Sequence, residues 1–302
     1  MTDSGLIDIR DVAMRDGLQI APPISLVDKL RLLDAILATG VRFIELTAFV
    51  SPRKVPSLAD AKDLAAAVNT AGPVHFSALV ASVNGAARAI EAGITTLEYV
   101  VSAAEAHSCA NVGRDSAAAT ALIAPIADVV SAADGSLEVI VATAWDCPFD
   151  GPTPPARVES IVRSAVGAGA ARVSLADTIG TAAPGRVEHL IALTRDLLPP
   201  DIPLGAHFHN TRGMGIANAL ASVRAGVTFL DASIGGLGGC PFAPGASGNI
   251  ATEELVYMLH DSGYRTSLDL AAAISAAKAA ETIVGGTDSG LRVAGDRQRV
   301  RS

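Results

Sequence analysis

The sequence predicts a single α/β domain over residues 1–302, a (β/α)8 barrel with a C-terminal helical extension. Three observations predict it. Short apolar segments alternate with helical patterns along the whole chain, at a spacing of roughly 25–35 residues. Four unit ends share one phrase, ATGVRFIEL, EAGITTLEYV, GAGAARVSL and RAGVTFLDA, in which a glycine closes a helix just before an apolar strand. No GxGxxG opens the first helix, which argues against a doubly wound nucleotide-binding sheet, the main competitor.

The expected strands, in order, are Leu6–Ala13, Phe43–Phe49, Val74–Leu79, Thr96–Ser102, Leu137–Ala142, Arg172–Asp177, Leu204–His209 and Thr228–Ala232. Each is short, apolar and bounded by turn residues, as a strand buried on both faces should be. Helical patterns fill the gaps. Ser25–Thr39 begins on a capping serine and stops at Gly40; Asp115–Ala133, Pro155–Ala168 and Arg186–Leu198 behave alike. Ser267–Gly285 reads as an extra helix beyond the eighth unit, and the polar, basic Gly290–Ser302 as a disordered tail.

Composition excludes several classes. Of 302 residues, 50% are hydrophobic and 18% charged, enough for one large core. Barrels of about 250 residues or more are common as single domains, so the length does not demand two. The net charge is −8 with no Lys/Arg cluster, which speaks against a nucleic-acid partner. MTDSGLIDIRD resembles no secretory or transit signal. No uninterrupted apolar run reaches about 18 residues, so no membrane span is expected. Cys109, Cys147 and Cys240 are too few and scattered for a disulfide framework and read as thiols of a reducing compartment, by default the cytoplasm.

A barrel carries its chemistry at the C-terminal ends of its strands. Polar residues gather there: Arg15 and Asp16 after strand one, Glu45 and Thr47 on strand two, Ser174, Asp177 and Thr178 on strand six, and His207, His209 and Asn210 on strand seven. After strand eight comes the glycine-rich GGLGGCPFAPGASGN, with Cys240 and Asn249. In His207-Phe208-His209 the two imidazoles share one side of the strand, which makes an edge for a metal. Asp16 and Asn249 are candidates to complete a mixed N/O set suited to a hard or borderline divalent ion. The competing reading is two hydrogen-bonded histidines in a polar interior, with Arg15-Asp16 a surface ion pair. Cys240, in a mobile loop, is a candidate proton donor or acceptor, or else a small apolar residue; Cys109 and Cys147 read as structural.

The segments MRDGLQ (Met14–Gln19), IELTAFVSPRKVPSLAD (Ile44–Asp60), VSLADTIG (Val173–Gly180), HFHNTRGMGIANAL (His207–Leu220) and GGLGGCPFAPGASGNIATEELVYML (Gly235–Leu259) closely resemble the 3-hydroxy-3-methylglutaryl-CoA lyase family, in order, over about residues 6–285. The resemblance implies a (β/α)8 barrel, a divalent Mg²⁺ or Mn²⁺, and cleavage of an acyl-CoA thioester to acetyl-CoA and acetoacetate. It implies metal ligands Asp16, His207, His209 and Asn249, with Arg15 stabilising charge on the thioester oxygen. It implies Asp16 or His207 as base and Cys240 as proton donor to the enolate. Glu45 matches a family carboxylate near the site; Gln19, Ser174 and Thr178 are the further residues expected to bind substrate. An acyl-CoA is thus the expected partner, and a homodimer is allowed.

The sequence departs from the family at the mouth. Ile20-Ala21-Pro22-Pro23 replaces Asn-Glu and a nearby basic residue, HCHD becomes His207-Phe208-His209-Asn210, and Ala104, His107 and Ala110 stand where serine, an apolar residue and lysine are typical. These changes leave the metal set intact, and with Ile20 and Pro22 in place of polar groups a larger or differently branched 3-hydroxyacyl-CoA is an expected alternative substrate. Two other classes compete: a 2-oxo-acid aldolase or condensing enzyme on the same barrel, against which the cysteine loop argues, and a non-catalytic barrel, against which the intact ligand set argues.

Overall fold

Eight parallel strands close on themselves in a computed structural model that describes residues 5–239, 248–285 and 290–291. In chain order they are β1 (Asp8–Asp11), β2 (Phe43–Phe49), β3 (His75–Val80), β4 (Thr96–Ser102), β5 (Ser136–Ala142), β6 (Arg172–Asp177), β7 (Leu204–Phe208) and β8 (Phe229–Ala232). Each pairs with its chain neighbours, and β8 closes onto β1 with Asp8 beside Phe229 and Asp11 beside Ala232.

The surrounding helices are α1 (Leu26–Leu37), α2 (Ala61–Ala67), α3 (Val83–Glu91), α4 (Glu105–Val112), α5 (Ser116–Ala121), α6 (Ile123–Ser131), α7 (Pro155–Gly167), α8 (Pro184–Arg195), α9 (Gly215–Arg224), α10 (Thr252–Asp261) and α11 (Leu270–Val284). Ser25 caps α1 by accepting from Asp28 N at 3.1 Å, as its sequence position suggests. The repeated glycine phrase has a backbone reason: Gly40 and Gly226 turn out of α1 and α9 at φ +82° and +103°, where a side chain would be strained. At Gly40 a Cβ would also lie 2.8 Å from Ser267 O. The extension α11, capped by Asp269, lies against α1 and α10.

Two expectations are corrected. The single helix over Asp115–Ala133 is broken at Leu122 into α5 and α6. Pro125 lacks the N–H that would bond back to Ala121, and its ring crowds that carbonyl. The first strand is shorter than Leu6–Ala13. Asp11 Oδ1 accepts from Ala13 N at 3.0 Å and ends it. The chain then makes one wide turn, Ala13–Gly17, closed by Gly17 N to Val12 O at 3.0 Å. A short hairpin between Asp146–Cys147 and Gly151–Pro152 was not foreseen. Cys240 and residues 292–302 lie outside the described residues; Gly290 and Leu291, expected to begin a disordered tail, are helical.

The lower half of the barrel interior is charged. Arg10 on β1 donates to both oxygens of Asp231 at 2.9 Å, to Glu138 Oε2 at 2.8 Å and to Glu98. Arg172 reaches Glu138 at 3.1 Å and stacks over the Phe229 ring at 3.5 Å. Burying such groups costs more than their attraction returns unless each is fully partnered.

Candidate active site

The wide turn after β1 aims Arg15 and Asp16 over the barrel mouth. Arg15 is 7% exposed and held on three sides: Nε donates to Glu45 Oε1 at 2.5 Å, and Nη1 to Asp16 Oδ1 at 2.6 Å and Gln19 Oε1 at 3.2 Å. Burial pushes the Asp16 carboxyl up, but the Arg15 guanidinium, with His209 and His207, holds it well below the usual carboxylate range. Asp16 is therefore an anion at neutral pH.

One ligand atom from each of Asp16, His207 and His209 lies within 4.8 Å of the other two. Asn249, after the glycine-rich loop, joins them. Its Nδ2 donates to Asp16 Oδ2 at 2.8 Å and to Leu237 O at 2.9 Å, which leaves its Oδ1 buried with no hydrogen-bond partner. Both ring nitrogens of His209 are likewise buried and unpartnered; Nε2 stands 3.7 Å from Asp16 Oδ2. The reading of two satisfied histidines does not fit this. Buried polar atoms left unpaired are costly. A divalent cation among an anionic carboxylate, two imidazoles and an amide oxygen would satisfy Asn249 Oδ1 and one nitrogen of His209 together, and this donor set suits one.

His207 is fixed from behind. Its Nδ1 lies 3.1 Å from Asp231 Oδ2. Burial raises the Asp231 carboxyl, yet Arg10 and then His207 pull it well below its ordinary value, so it is an acceptor. An acceptor there favours the tautomer with its proton on Nδ1, which leaves Nε2 as the nitrogen suited to a metal.

The metal position lies at one wall of a cavity of about 760 Å³. The cavity runs from Arg15, Asp16, Gln19, Thr178, His207 and His209 out to a rim with Lys54, Arg88 and Arg114. Gln19 and Thr178, two of the residues expected to bind substrate, line the cavity; Thr178 Oγ1 also accepts from Thr143 N at 2.7 Å. Two expected substrate contacts are placed elsewhere. Glu45 is fully buried behind Arg15, where burial and the nearby Glu98 raise its pKa despite the guanidinium. Ser174 Oγ donates to Glu138 Oε1 at 2.5 Å in the charged lower layer, below the cavity. Its inward parity is right, but its depth is wrong.

Sequence reasoning missed Asp231, the rim cations and Asp11. The inward alternation on β8, which sets Asp231 two residues after Phe229 and facing Arg10, was the available signal for the first. Asp11 binds Ala13 N through one oxygen, and Ile234 N at 3.0 Å and Thr252 Oγ1 at 2.7 Å through the other. It therefore ties the Arg15–Asp16 turn to the segments before and after the glycine-rich loop. Burial raises its pKa to about 7.

Residues 6–279 match the HMGL-like family model. The chain is 35% identical over 280 residues to hydroxymethylglutaryl-CoA lyase YngG of Bacillus subtilis, covering 92% of this chain and 93% of that one. It is 38% identical over 281 residues to (R)-citramalyl-CoA lyase of Chloroflexus aurantiacus, covering 89% and 88%. Among solved structures, an HMG-CoA lyase from Acenitobacter baumannii in complex with coenzyme A and 3-methylmalate superposes with TM-score 0.93 at 36% identity, covering 100% of both chains.

Proposed function

The chain belongs to the HMGL-like family, and from that membership we propose that it is a divalent-metal-dependent lyase cleaving C2–C3 of 3-hydroxy-3-methylglutaryl-CoA-type thioesters to acetyl-CoA and a 3-oxo acid. The observation that carries the reading is the convergence of Asp16, His207, His209 and the unpartnered Asn249 Oδ1 beside a cavity that ends in cations. Lys54, Arg88 and Arg114 suit the phosphates of a CoA, and the cavity between suits its pantetheine arm.

Asp16, His207 through Nε2, His209 and Asn249 through Oδ1 would hold Mg²⁺ or Mn²⁺. When bound, such an ion would supply Lewis acidity toward the substrate's oxygens and so lower the pKa of its 3-hydroxyl. The hydroxyl proton would go to Asp16, through the carboxylate oxygen not given to the ion, or to His207 where its Nε2 is left free of the ion. The C–O bond becomes a ketone as C2–C3 breaks, and the electron pair moves onto the thioester enolate. Arg15, rigid in its bonds to Glu45, Asp16 and Gln19, offers a fixed positive charge to that oxygen. Cys240 then delivers a proton to C2 and completes acetyl-CoA. We place the enzyme in the cytoplasm; among the described residues no helix is long and apolar enough to cross a membrane.

The test is direct. Purified protein with Mg²⁺ or Mn²⁺ should convert 3-hydroxy-3-methylglutaryl-CoA to equal amounts of acetyl-CoA and acetoacetate, and EDTA should stop it. The similarity to a citramalyl-CoA lyase favours a second reading, in which pyruvate is released from citramalyl-CoA. Identifying the oxo acid formed from each ester decides between them, and cleavage of neither refutes the lyase reading.

A further inference from the structure

The half of the cavity facing the metal position is aliphatic, and this follows from the strand order. In a closed barrel of eight strands, β3, β4 and β5 lie across from β7, β8 and β1. The metal residues come from β7 and from the segments after β1 and β8. The facing and flanking strands present Ala48 from β2, Leu79 from β3, Val100 from β4, Ile140 and Ala142 from β5 and Ala176 from β6 to the same cavity. Val100 and Ile140 are register partners, and Ala176 is the register partner of His207, so this wall begins beside a metal ligand and runs round to β4.

Two features make the wall a receptor and not merely a lining. Inward layers of such barrels are ordinarily filled by bulky branched residues. Here Ala48, Ala142 and Ala176 stand at inward positions and line open space. The wall also carries no formal charge. His107, its polar member with Thr178, is 2% exposed; burial lowers its pKa to about 4, and its Nδ1 lies 3.0 Å from Ser102 Oγ. The charged residues on the cavity are Arg15 and Asp16 at the metal position and Lys54, Arg88 and Arg114 at the rim.

We infer that this chain selects thioesters whose C3 carries an apolar substituent longer than methyl, and that Val100, Ile140, Ala142 and Ala176 form the wall that reads it. The inference rests on the lyase reading above. C3 of the substrate is tetrahedral. Its hydroxyl and the arm bearing the free carboxylate go to the metal position, and the thioester arm goes past Arg15 to the cationic rim. The fourth substituent is left to the aliphatic half, where a methyl would cover little of the wall. Each further methylene buried there should raise kcat/KM by roughly fourfold, and a pocket of this kind discriminates by roughly 10-fold or more between chain lengths.

The experiment compares 3-hydroxy-3-methylglutaryl-CoA with 3-hydroxy-3-butylglutaryl-CoA, with Mn²⁺ present, in the wild type and in Ala142→Leu and Ile140→Phe. The readout is the butyl-to-methyl ratio of kcat/KM; Mn²⁺ affinity and thermal melting show that each variant is folded. The expected result is a wild-type ratio of about 10 or more, collapsing by roughly 10-fold when the wall is filled. Ile140→Phe serves if Ala142→Leu fails to fold. A wild-type ratio of one or less, or a ratio unmoved in a folded variant, overturns the inference while leaving the lyase reading standing. Cleavage of neither ester by the wild type overturns that reading and this inference with it.

Discussion

Asp231 Oδ2 accepts the Nδ1 proton of His207 at 3.1 Å while both Asp231 oxygens are clamped by Arg10 at 2.9 Å. The charged layer at the barrel's base thereby reaches the mouth: it sets which nitrogen of His207 is bare. In Asp231→Asn an amide N–H facing Nδ1 would favour the opposite tautomer. Mn²⁺ affinity, measured by calorimetric titration, should fall by roughly 10–100-fold, the usual cost of losing such a partner. Asp231→Glu should recover part of it. Undiminished affinity in Asp231→Asn would mean that packing alone orients the ring.

His209 and Asn249 bring unpartnered buried atoms to the metal position. His209→Ala should therefore remain folded, lose Mn²⁺ and lose turnover, and EDTA should abolish wild-type activity. Full occupancy and turnover in His209→Ala would refute the ligand assignment.

Arg15 is already fixed by three partners before substrate binds, so its positive charge needs no reorganisation when the enolate forms. Arg15→Met should lower kcat by roughly 10²-fold or more, with a much smaller change in KM. A change confined to KM would make Arg15 a substrate-binding group and nothing more.

His107 carries a pH signature. Burial lowers its pKa from 6.5 to about 4. Between these values the unfolded chain binds a proton that the folded chain does not. This group's contribution is therefore lost as pH falls through the window, by about 3 kcal/mol in full. Asp11 acts the other way: its pKa rises from 3.8 to about 7, so the folded chain keeps a proton there that the unfolded chain has released. The difference between wild type and His107→Gln at each pH isolates the histidine. Denaturant melts should show the variant less sensitive to acid between pH 6.5 and 4; parallel curves would contradict this.

Some of the site could be read locally. The two-residue repeat of a strand puts His207 and His209 on one side whatever surrounds them, because the pleat is a property of the backbone. The expected and observed spans coincide for β2, β4 and β6 because fully buried strands must be apolar throughout and are bounded by turn residues. Pro125, with no N–H to give an uninterrupted Asp115–Ala133 helix, is the local mark of the break between α5 and α6.

What the sequence determined by itself was periodicity: the barrel, the sidedness of the histidines, the glycine exits at Gly40 and Gly226. Only the tertiary structure decided depth and distance. Ser174 and Thr178 have the same inward parity, yet one bonds Glu138 below the cavity and the other lines it. Glu45 and Gln19 both touch Arg15, but only Gln19 reaches open space. Asp16 meets His209, and Asp231 meets Arg10, across more than half the chain. Parity is fixed by bonds within a strand, whereas height and partnership depend on how eight strands stagger as they close, which no local pattern encodes.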